Sequence, residues 1–181
     1  MLGVVNPATI PEVAMANGSK PLRAVSGPGH RVGTQRYKLY RDAWAHLNKA
    51  SAQGYYLEAI ALLESLLTDR MESRATYLTG SNTGFRTLGA LLSIFQSVEK
   101  DPHFLQVLRK IDTWRVHRND ALHSMAKFEM GAVVSWAKKV TKLPRVVEEG
   151  RELLQAYNTL DIAERHKANK RAATEPSAFW P

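Results

Sequence analysis

The chain contains no cysteine among its 181 residues. Disulfide staples, thiolate metal sites and a cysteine nucleophile are thereby excluded, and the composition fits a reducing compartment. No run of roughly eighteen apolar residues is present to span a bilayer, and the N-terminus lacks the basic stretch followed by an apolar one that marks an export signal. A cytoplasmic protein with no membrane partner is the expectation. The six histidines, His30, His46, His103, His117, His123 and His166, show neither His-x3-His nor His-Glu-x2-His spacing, and no Gly-x-Ser-x-Gly occurs. Metal and serine-hydrolase chemistry have no starting motif, and no cofactor is expected. Acidic residues are also in deficit. Seventeen Asp and Glu against twenty-five Lys and Arg leave a formal charge of +8, which fits an anionic partner such as nucleic acid and, equally, a solvated basic surface with a basic tail.

Strict apolar–polar alternation is missing as well, so no strand is predicted and the fold class is all-α. Residues 1–33 hold four of the eight prolines and five of the eleven glycines, which reads as an irregular N-terminal arm. A single helical domain over 34–168 and a loose basic tail over 169–181 follow. Within the domain, Tyr37, Tyr40, Trp44 and Leu47 recur at helical spacing and predict a helix over about 34–50, its aromatic stripe read as core rather than as a base-stacking platform. Tyr56, Ile60, Leu63, Leu67, Met71, Arg74 and Leu78 predict a long helix over about 54–79. Its Glu64, Asp69, Arg70 and Glu72 read as an exposed charged face from which one acid can reach the helix bearing His123. Gly80-Ser81-Asn82-Thr83-Gly84 is a connector that lacks the lysine of a phosphate-binding loop. A shorter helix over about 85–99 ends at Lys100-Asp101-Pro102. A further segment runs from His103 to Arg118, a new helix capped by Asn119 or Asp120 continues to about 142, and a last one covers about 145–168.

The chemistry concentrates in Arg118-Asn119-Asp120-Ala121-Leu122-His123. Arginine is a permanent cation shaped to grip a phosphate, and histidine exchanges a proton near neutral pH, so the pair suggests phosphodiester chemistry. On one uninterrupted helix the two would point about 140° apart, at about 100° per residue. Convergence on one phosphate therefore needs either a helix that begins at Asn119, leaving Arg118 in a junction, or two copies meeting across a twofold axis. Asp120 reads as a cap. Arg115 and His117 read either as added phosphate contacts or as exposed helix-end residues.

Arg118-Asn119-x3-His123, following a long helix and a shorter one, resembles the Arg-x4-6-His motif of the HEPN superfamily, the small all-helical domains many of which are ribonucleases. The stretch Ala52-Gln53-Gly54-Tyr55-Tyr56-Leu57-Glu58-Ala59-Ile60-Ala61-Leu62-Leu63-Glu64 is similar to their long early helix, and the likeness covers roughly residues 35–142. The resemblance implies a HEPN-like bundle of about four to six helices. It further implies a homodimer with both motifs facing one cleft, and a metal-independent endoribonuclease of the toxin or anti-phage type, with an antitoxin or other regulatory partner. The ribose 2′-hydroxyl would attack the adjacent phosphate, with His123 as general base or acid, Arg118 on the scissile phosphate and Asn119 orienting its neighbours. The alternative is a non-catalytic helical module that binds nucleic acid or a protein.

Overall fold

A computed structural model of the chain describes residues 32–82, 84–123, 125 and 135–174. Among the described residues there are six helices: α1 (Val32–Ala52), α2 (Tyr56–Thr79), α3 (Leu88–Val98), α4 (Pro102–His123), α5 (Trp136–Val140) and α6 (Leu143–Thr174). No strand occurs among them, and none of these helices is long and apolar enough to cross a membrane. The N-terminal arm lies outside the described residues apart from its last two, which already belong to α1.

Helix ends fall where the local chemistry stops or starts a turn. Gly80 ends α2 in the left-handed region at φ 66°, a conformation nearly free of cost only without a Cβ. The Thr87 hydroxyl accepts from the Ala90 amide and opens α3. Asp101 Oδ1 accepts from the His103 and Phe104 amides at 2.8 and 3.4 Å and opens α4, with Pro102 in the first helical position, where its missing N–H costs nothing. Pro144 lies in the first turn of α6, where its missing N–H again costs nothing.

α2 is the axis of the bundle, packed against α1, α3, α4 and α6. Ile60, Leu63, Leu67 and Met71 from α2 bury with Leu88, Leu91 and Phe95 from α3, Phe104, Ile111 and Trp114 from α4, and Val147, Leu154 and Tyr157 from α6. The Trp114 indole N–H donates to the Val146 carbonyl at 2.8 Å. Arg74, read as part of an apolar stripe, is buried but charged: its Nε is 2.6 Å from Glu99 Oε2 and its guanidinium lies 3.4 Å from the Phe104 ring centre. Burial of this pair is tolerated because Glu99 Oε1 also accepts the Lys100 and Asp101 amides, so the remaining lone pairs are satisfied.

Four expectations change. The cap at Asn119 or Asp120 does not exist: α4 runs unbroken through Arg118 to His123, since no proline or glycine interrupts it and its inward face continues through Ala121. Of the helix expected over about 119–142, residues 119–123 belong to α4 and 136–140 to α5, Met125 lies in a turn, and 124 and 126–134 lie outside the described residues. The last helix extends to Thr174, so the basic residues assigned to a loose tail begin as helix, while 175–181 lie outside the described residues. Of the α1 aromatic stripe, Tyr37 is exposed, Tyr40 and Trp44 are half-buried and only Leu47 is fully buried. Tyr40 and Trp44 stack on each other, and Arg70 covers the Tyr40 ring.

Candidate functional site

The inward stripe of α4 runs Phe104, Leu108, Ile111, Trp114, and the next position at helical spacing is Arg118. Its side chain is only 12% exposed and reaches α2, where Nη2 pairs with Glu64 Oε1. Nη1 donates to Asn119 Oδ1 at 2.6 Å. Nε is buried and has no partner among the described residues. Burial lowers the pKa of Arg118, yet an arginine starts so high that it stays charged. The acid on α2 that was free to face the motif helix is thus Glu64. Glu72 turns inward too, accepting the Arg86 amide at 2.8 Å and fixing the approach to α3.

Arg118 and Asn119 form one wall of a cleft of about 540 Å³. Ala61, Glu64, Ser65 and Thr68 of α2 make the second wall, and Arg86, Thr87, Leu88 and Gly89 at the start of α3 the third, with Arg115 beside Arg118. Three guanidinium groups and one carboxylate therefore share the opening, and the positive end of α3 adds to them. Arg115 Nε is held by Asp112 one turn back at 2.8 Å, and a lining of three arginines and one glutamate has a polarity suited to a phosphate-bearing ligand.

His123 is not part of this wall. It is the last residue of α4 and is exposed; five residues from Arg118 on one straight helix, it points about 140° away. Asp120, expected as a cap, is an exposed residue within the helix. His117 takes a third direction: its Nδ1 lies 2.9 Å from Glu149 Oε2 on α6, and Glu149 Oε1 accepts Arg145 Nε at 2.9 Å. Burial pushes the Glu149 carboxyl up, but the hydrogen bonds and charges of His117 and Arg145 outweigh it and hold the group below the usual glutamate range. His117 thus ties α4 to α6 rather than serving as a bare helix-end residue.

The structure brings Arg118 and Asn119 together and leaves His123 apart from them. Arg86, Ser65 and Thr87 escaped the sequence reading, because they come to line one cleft with Arg118 only through packing. Continuing the α4 stripe by four residues from Trp114 does carry a signal, since it places Arg118 inside and demands an acid opposite it. No family model matches the chain, and no curated protein and no solved structure matches it either.

Proposed function

We propose that this chain is a HEPN-like domain acting as a metal-independent endoribonuclease, assembled as a homodimer in the cytoplasm and held in check as a toxin or anti-phage effector by a regulatory partner. The observation that carries this reading is the placement of Arg118 and Asn119, the first half of the motif, on a positive cleft shared with Arg86 and Arg115. The order of long α2, shorter α3 and motif-bearing α4 agrees with it.

In the proposed reaction Arg118 binds the scissile phosphate and offsets charge as the 2′-oxygen adds to phosphorus. An imidazole takes the 2′-hydroxyl proton, the 5′-oxygen leaves with a proton, and a 2′,3′-cyclic phosphate and a 5′-hydroxyl result. Because His123 points away from Arg118 of its own chain, the imidazole must come from a second copy. Glu64 has to yield Arg118 to the phosphate, a carboxylate–phosphate exchange on the same guanidinium.

The same Glu64 pair and the displaced His123 favour a second reading, a non-catalytic module in which Arg118 mainly fastens α4 to α2 and the basic surface binds a polyanion. Cleavage of single-stranded RNA in excess EDTA separates the two. The expected result is chelator-resistant cleavage by the wild type, a loss of about 10²-fold or more in His123→Ala, and retained RNA binding by that variant. A purified dimer that leaves every RNA intact would overturn the ribonuclease reading.

A further inference from the structure

The segment from Ser135 to Arg145 carries Lys138, Lys139, Lys142 and Arg145 and no acidic residue. At its head Trp136 is 61% exposed, although an indole is among the costliest side chains to leave in water. Lys138 and Lys142 are exposed with it. The segment has a firm base: Ser135 Oγ accepts the Lys138 amide at 3.3 Å, and Leu143, Val146 and Val147 are buried in the core. Trp114 holds the Val146 carbonyl, and Arg145 meets Glu149 and, through it, His117 of α4. An exposed indole is thereby presented within a basic segment whose base is tied to the half of α4 that leads into Arg118.

We propose that Trp136, with Lys138 and Lys142, is a stacking platform for single-stranded RNA. Lysines attract any polyanion, but an indole face adds affinity only where a base face is free to lie on it, which a duplex does not offer. An anionic membrane fits less well, because among the described residues those exposed beside Trp136 in the sequence, Ser135, Ala137, Lys138 and Thr141, supply little apolar area to insert. The inference rests on the nucleic-acid part of the proposed function and is independent of cleavage.

The test is binding of the full chain to a short fluorescent 2′-O-methyl oligouridylate, which has no free 2′-hydroxyl to attack, and to the duplex of the same strand. Trp136→Ala should weaken single-strand binding about tenfold and leave duplex binding unchanged. Trp136→Leu, which keeps bulk without a ring, should lose the same factor, and Trp136→Phe should retain most of the affinity. Replacing Lys138 and Lys142 by Ala should weaken both ligands and flatten the single-strand salt slope by about 1.4. Three results would overturn the platform: wild-type single-strand binding by both Trp136→Ala and Trp136→Leu, equal losses on single strand and duplex, or Trp136-dependent binding to phosphatidylserine vesicles without oligonucleotide binding. An intact platform with no RNA cleavage would strike only the ribonuclease, and active cleavage with unchanged binding in these variants would strike only the platform.

Discussion

A charged side chain withdrawn from water keeps its charge only where other groups replace the lost hydration. Arg118 meets that condition through Glu64 and Asn119, with Nε left over. Such an under-satisfied cation can bind an anion more readily than one already saturated by carboxylates. Glu149 shows the reverse arrangement, a carboxylate held by two partners, His117 and Arg145. Its folded-state pKa is depressed, so the stability it contributes is fully present above the unfolded value of about 4.3 and is lost as pH falls through the lower folded value. Glu149→Gln should therefore be less stable than the wild type at neutral pH, and the gap should close as pH drops towards about 3. Urea melts of the two proteins across that range measure the gap. A difference that stays constant with pH would mean that the ionised carboxylate plays no part in joining α4 to α6.

At the scale of elements, the α4–α6 contact depends on one missing methyl group. A Cβ on Gly150 of α6 would lie 2.8 and 2.9 Å from Trp114 Cζ2 and Cε2 and 3.0 Å from Leu63 Cδ1. The indole is buried and anchored by its bond to Val146, so it cannot swing away without losing that bond. Gly150→Ala should cost about 1–3 kcal/mol by overpacking, despite alanine's better helix propensity, seen as a lower urea midpoint with an unchanged slope. Neutral or raised stability would show that the indole repacks freely. Helices α1 to α3 and the start of α4 were legible in the sequence to within a few residues, because each buries one face and so repeats near 3.6. The break at Asn119 was misread because a cap signature is local, and Asn and Asp also occur within last turns. The inward stripe through Ile111, Trp114 and Ala121 is worth more than that weak preference and carries the helix onward. At the candidate site Arg118 and Asn119 were named from the sequence, and Glu64 was among the acids able to reach the motif helix, but Arg86 and Thr87 were not, since their place on the same cleft is a property of how three helices pack.

For the whole molecule, one unbroken α4 turns the twofold from a convenience into a requirement of the proposed chemistry. Arg118 opens on the α2–α3 side of the bundle and His123 faces away at the end of the helix, so one chain carries two half-sites. A homodimer completes both at once only if the Arg118 cleft of each subunit receives the His123 of the other, as an isologous interface provides. Arg118→Ala and His123→Ala should then each be inactive alone and recover activity when mixed under conditions that exchange subunits. A mixed dimer has one cleft with an intact arginine facing an intact histidine, and one cleft that lacks both. Random pairing makes half the dimers mixed, so the expected recovery is about a quarter of wild-type activity. Recovery should track subunit exchange, rising from zero when preformed dimers are combined and left unexchanged. If the wild type cleaves RNA but the exchanged mixture does not, both residues act within one chain, which would require α4 to unwind beyond Arg118. That outcome would show as loss of amide protection over residues 118–123 when RNA binds, whereas a composite site keeps the last turn of α4 wound.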